Sequence, residues 1–134
     1  MLEHKLSVGP FQCNCRILVC PQTGRGVIVD PGDEPAKILQ AVAGLKTPSG
    51  QPIQIDYLLH THAHLDHIGG TRGVKQGLQK VSHIATICLH QADDPLYAQL
   101  QTQGQFFGMN FETPLPVEKF LAHEEELRVG QMKF

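Results

Sequence analysis

The sequence predicts an α/β fold, and three observations carry that assignment. Short apolar runs bounded by turn residues recur as strand candidates at 13–20, 26–29, 53–59 and 84–89. Between two of them, Ile38, Leu39, Val42 and Leu45 repeat at helical spacing and make one apolar face. Metal-binding side chains crowd the carboxyl end of the 53–59 run, where ligands of strand-and-helix sheets commonly gather.

From the amino terminus, residues 4–8 and 13–20 mix apolar and polar positions as two strands do, with Gly9-Pro10 as the turn between them. Pro21-Gln22-Thr23-Gly24 marks a second turn. Residues 26–29 form a short buried strand ending at Asp30, whose carboxylate can accept hydrogen bonds from the Pro31-Gly32 turn. Asp33-Glu34-Pro35 opens a helix with an acidic start and proline in its first turn, and the apolar face that follows is core packing. Residues 47–52 make an exposed loop too short to divide domains.

Beyond the metal-rich segment, Gly69-Gly70 lets backbone pass close to bound ions without an intervening side chain. Residues 71–80 form a short helix weakened by Gly73 and Gly77. A buried strand at 84–89 and a helix at 92–101 come next. The glutamine-rich stretch 99–105 leads to Phe106-Phe107-Gly108-Met109, which either lines an entrance or caps the core. Residues 120–121 and 127–134 finish as strands.

The 134 residues suit one domain, and 41% hydrophobic content fits a globular chain. A net charge of −2 offers no basic surface for nucleic acid or anionic lipid. The first residues lack the apolar core of a signal peptide, and no apolar run reaches bilayer-spanning length, so the expectation is a cytoplasmic protein with no membrane partner. Cys13 and Cys15 face one side of a strand, and Cys20 and Cys88 lie in apolar stretches. With no second cysteine pair to complete a zinc site, all four read as buried or half-buried thiols.

The chemistry is concentrated in Leu58-Leu59-His60-Thr61-His62-Ala63-His64-Leu65-Asp66-His67-Ile68-Gly69-Gly70. Five side chains able to bind a metal fall within residues 60–67. Imidazole and carboxylate are ligands that zinc, and less selectively iron or manganese, accept. An extended chain aims His62 and His64 to one side. Asp66 and His67 are neighbours that diverge from each other, and a turn at Leu65 separates them from the first pair, giving two half-sites side by side. Isolated histidines such as His4, His83, His90 and His123 read as ordinary surface or structural residues.

The segment T-H-A-H-L-D-H-I-G-G resembles the signature of the metallo-β-lactamase superfamily, in the style of its glyoxalase II-like (hydroxyacylglutathione hydrolase-like) thioester hydrolases. Gly9-Pro10-Phe11-Gln12-Cys13-Asn14-Cys15, Val29-Asp30-Pro31-Gly32 and Glu125-Glu126-Leu127-Arg128-Val129-Gly130 agree with the family in order and spacing. The resemblance implies the N-terminal half of an αβ/βα sandwich, a mixed sheet with flanking helices. It implies that His62 and His64 hold a first metal and that Asp66 and His67 hold a second. It also implies that Asp66 orients the nucleophile and that Asp30 lies beneath the loop and orients a ligand. The implied reaction is attack of a zinc-bound hydroxide on a small-molecule thioester, with iron or manganese as alternative metals.

Such domains continue to a third histidine, a bridging aspartate and a final histidine, so residues 1–134 read as one domain of this type truncated before that third histidine. The resemblance therefore implies a metal-dependent hydrolase whose site is completed elsewhere, by a missing C-terminal half or by a homodimer partner. A non-enzymatic metal-binding module and a persulfide dioxygenase relative using one iron are the alternatives.

Overall fold

The strand candidates assemble into one mixed sheet whose six strands lie side by side in chain order. They are β1 (Leu2–Val8), β2 (Cys13–Val19), β3 (Arg25–Val29), β4 (Gln54–Leu59), β5 (Thr86–His90) and β6 (Lys119–Leu121). The computed structural model describes residues 1–61, 63–121 and 126–133. His62, His123 and Glu125, to which the sequence assigns roles, lie outside the described residues.

β1, β2 and β3 pair antiparallel through tight turns, while β3 to β6 run parallel. Parallel neighbours need a crossover. Helix α1 (Pro35–Gly44) supplies it between β3 and β4, and α2 (Leu65–Ile68) with α3 (Thr71–Lys80) supplies it between β4 and β5. A 3₁₀ turn at Gln91–Asp93, α4 (Asp94–Ala98) and α5 (Leu100–Phe106) lead on to β6. The parallel strands thus present their carboxyl ends at one edge, where the 60–70 loop lies.

One face of the sheet is covered by α1 and α3. Ile38, Val42, Val74 and Leu78 pack there on Cys15, Ile17, Ile28, Ile55, Leu58 and Ile87. Gly73 and Gly77 weaken helix propensity, but a Cβ at Gly77 would collide with Leu39, so glycine lets α1 and α3 approach closely. On the other face Leu18, Val27, Val29, Tyr57 and Leu59 gather under Val129 and Met132. Those two belong to a hairpin of β7 (Arg128–Val129) and β8 (Met132–Lys133).

Several expected boundaries move. The strand expected at 84–89 begins at Thr86, where pairing with Tyr57 starts, leaving Ile84 81% exposed. The helix expected at 92–101 is divided at Gln99, and its second part extends through the glutamine-rich stretch. The acidic residues before α1 do not cap it. Glu34 adopts a left-handed φ of 49° and accepts the Gly9 N–H through Oε2 at 2.9 Å, tying the β1–β2 turn to the α1 entrance. Among the described residues no helix is long and apolar enough to cross a membrane.

None of the four cysteines forms a disulfide, and all are buried. Burial, with Asp30 and Asp66 nearby, pushes the Cys13 thiol up to about 11. Burial first, then Cys13 and Asp30, pushes Cys15 up to about 12. Both are therefore neutral thiols at physiological pH. Iodoacetamide at pH 8 is expected to leave both unmodified in the native chain and to label both in denaturant, as read by peptide mass spectrometry.

Candidate metal centre

The site is assembled where β3 and β4 end. Asp30 follows β3 with a left-handed φ of 55°, a conformation aspartate tolerates better than most residues, and its N–H continues the parallel pairing by donating to Leu59 O at 2.8 Å. Its carboxylate is buried, so each oxygen requires a donor. Oδ1 accepts the Thr61 N–H at 2.7 Å, and Oδ2 accepts the Thr61 hydroxyl at 2.7 Å. Oδ2 also lies 2.9 Å from His67 Nδ1. One carboxylate therefore joins the end of β3, the start of the metal loop and helix α2.

A ring nitrogen facing a carboxylate at that distance carries the proton, so His67 presents Nε2 as its electron-pair donor. Cys13 Sγ stands 3.7 Å from Nδ1 and packs the ring from β2. Nε2 lies 3.3 Å from Asp66 Oδ2. Asp66 and His67 thus converge, contrary to the divergence expected of neighbours in an extended chain. The turn does begin at Leu65, and helix α2 sets successive side chains about 100° apart rather than opposite. Asp30, holding the far side of the ring, aims Nε2 back at Asp66.

Two donors each about 2.1 Å from a tetrahedral ion stand about 3.4 Å apart, so this pair has the spacing for one shared divalent ion. Their chemistry agrees, since imidazole nitrogen and carboxylate oxygen are both ligands that divalent zinc or iron accepts. The residues present fit a metal as a two-donor half-site. His64 is exposed and occupies the N-cap of α2, and His62 lies outside the described residues. Among the described residues no three of His, Cys, Asp or Glu are grouped to hold an ion.

His60, counted with the potential ligands on sequence, is a structural residue. Its Nδ1 contacts Cys88 O at 2.9 Å and its Nε2 contacts Thr71 Oγ1 at 2.8 Å, which occupies both ring nitrogens. Burial lowers its pKa and keeps it neutral. It therefore clamps β4 to β5 and to the first turn of α3. Gly69-Gly70 accommodates protein backbone: Gly70 N donates to Pro31 O at 2.9 Å. Gly32 faces the Asp66 carbonyl so closely that a Cβ there would overlap it.

A cleft of about 280 Å³ opens beside His67, lined by Asn14, Arg16, Val29, Asp30, Thr61 and His67. On another side Phe11, from the β1–β2 turn, meets Phe107, after α5, edge to face with centroids 5.1 Å apart. Both rings are exposed.

Replacing Asp30 by Ala leaves the Thr61 and His67 donors without their acceptor, and is expected to cost about 3 kcal/mol of stability in denaturant melts. The His67 Nδ1–H signal in a ¹⁵N spectrum should disappear with it. Gly32→Ala is expected to cost about 2–3 kcal/mol by thermal melting, because the 31–33 loop and α2 must separate to admit a methyl group.

The family model of the metallo-beta-lactamase superfamily matches residues 8–129. Hydroxyacylglutathione hydrolase GloC of Haemophilus influenzae is 29% identical over 130 residues, covering 96% of this chain and 56% of that protein. The chain spans about half the length of the curated relatives that match nearly all of it. The crystal structure of the BLEG-1 B3 metallo-beta-lactamase superposes with a TM-score of 0.78 at 23% identity, over 99% of this chain and 59% of that one. TTHA1623, in a di-iron-bound form, superposes with a TM-score of 0.70 at 30% identity, over 92% of this chain and 56% of that one. With the mixed sheet, the loop at its carboxyl edge and the converging Asp66–His67 pair, the match assigns this chain to the metallo-beta-lactamase superfamily.

Proposed function

We propose that this chain carries the first part of a two-metal thioester hydrolase of the glyoxalase II type. The observation that carries the reading is the line Asp30–His67–Asp66, in which a buried carboxylate fixes one nitrogen of an imidazole and turns the other toward a second carboxylate. The likeness to a hydroxyacylglutathione hydrolase supports the thioester as substrate class. Zinc or iron fits this donor set, and the di-iron-bound form of TTHA1623 keeps iron beside zinc as a candidate.

A divalent ion bound here supplies Lewis acidity and a water acidified to near neutrality. The chain's own residues do the rest. Asp66 and His67 hold one ion and His64, with His62, holds the other. Asp66 also orients the attacking water, and Asp30 keeps the His67 Nδ1 proton in place so that Nε2 stays a donor. A thiolate leaving group needs little protonation, because a thiol's pKa of about 8.5 lies well below that of an amine. No dedicated acid is therefore required. The Phe11–Phe107 pair offers an apolar wall for the substrate.

The remaining ligands are proposed to come from additional polypeptide or from a second copy of the chain. The wild-type chain is expected to take up zinc or iron, and His62→Ala combined with His64→Ala to abolish tight binding, as measured by inductively coupled plasma mass spectrometry after gel filtration. Unchanged metal content in the double variant would overturn the assignment of these histidines. Turnover of a glutathione thioester by the chain supplied with the remaining ligands tests the substrate class.

A further inference from the structure

We infer that Gln103 is a positioning residue for the candidate metal centre. From α5 its Oε1 accepts the Leu65 N–H at 2.9 Å, while its Nε2 donates to Ala63 O at 3.1 Å and to Leu96 O at 3.0 Å. The carboxamide therefore grips the backbone on both sides of His64 and ties it to α4. Both amide hydrogens and the carbonyl oxygen are used. This inference rests on the reading of His64 as a metal ligand.

The geometry explains why that grip matters. Leu65 is the first residue of α2, and its N–H is one of the donors a helix leaves without an internal partner. His64 stands at the N-cap, and its side chain makes no capping bond. Gln103 supplies an acceptor at the helix start from 38 residues away. Without it, the Leu65 N–H and the Ala63 carbonyl would lose their partner, and the peptides on either side of His64 would be free to turn the imidazole away from an ion. Gln103 also fixes the Ala63 carbonyl, so the peptide planes on either side of His64 are set by α5.

The test compares wild type with Gln103→Met, which keeps the length and loses the hydrogen bonds, and Gln103→Glu, which keeps the acceptor for Leu65. Gln105→Ala, an exposed position on the same helix, is the control. Three quantities are read: amide hydrogen exchange at Leu65, zinc affinity by competition with a chromophoric chelator, and the visible spectrum of the cobalt-loaded chain.

For Gln103→Met, Leu65 exchange is expected to accelerate at least about tenfold and zinc affinity to fall about tenfold, with a shifted cobalt spectrum and a melting temperature near that of wild type. Gln103→Glu should retain protection at Leu65 and part of the affinity. A Gln103→Met chain that binds zinc as wild type does, with an unaltered cobalt spectrum, overturns the role of Gln103 alone. So does a Gln103→Glu chain with Leu65 unprotected. A wild-type chain that binds no metal overturns the metal-centre reading and this role with it.

Discussion

A single buried carboxylate, that of Asp30, decides how the site is built. Burying a charge is costly unless every lone pair finds a donor, and the three donors within reach come from Thr61, by backbone and by hydroxyl, and from His67. Satisfying Asp30 therefore forces the loop after β4 to start where it does and forces the imidazole of α2 to turn its Nδ1 inward. The left-handed backbone at Asp30 has the same consequence, because it lets the chain leave β3 while the carboxylate remains at the strand end. The orientation of the His67 ring toward Asp66 is thus a by-product of neutralising one desolvated charge.

The same economy holds for the rest of the loop. His60 and Thr71 flank the residues that carry the donors, and their buried hydrogen bond ties together the two ends of that segment. Gly32 and Gly70 let the loop after β3 slide beneath it, so that two backbones touch where side chains would hold them apart. Parallel pairing of β3, β4 and β5 delivers all of these to one edge of the sheet, because each crossover helix returns the chain to the opposite edge. Little of the chemistry lies outside that edge.

Much of this was legible before the structure. Apolar runs with turn residues between them located the strands, and the spacing of Ile38 and Val42 located the helix that covers them. Residues 60–67 stood out because several nitrogen and oxygen side chains able to bind a metal fall within one short run, and the family match covers that run. What sequence misplaced depends on long-range partners. His60 reads as a ligand until Cys88 and Thr71 are brought to it from other elements. Ile84 reads as strand because it is apolar, yet the ladder begins only where Tyr57 is available. Gln103 carried no signal among neighbouring glutamines, since its partners lie at Ala63, Leu65 and Leu96. Asp66 and His67 appeared to diverge because the rotation of a helical turn and the pull of Asp30 are absent from a reading by adjacency.

The donor arithmetic completes the picture. Catalytic zinc sites take three protein ligands and keep one position open, whereas the described pair provides two. Two donors in a floppy loop would bind poorly, because each ion captured would have to order the chain that holds it. Here that ordering is done before any ion arrives, by the Asp30, His60 and Gln103 contacts, so the intrinsic affinity of the pair is not spent on the loop. A third donor added from further polypeptide or from a second copy would then meet a half-site already set at the right separation, and nearly all of its binding energy would appear as metal affinity. A donor that arrives last at a pair already held rigid is, on those terms, decisive for affinity.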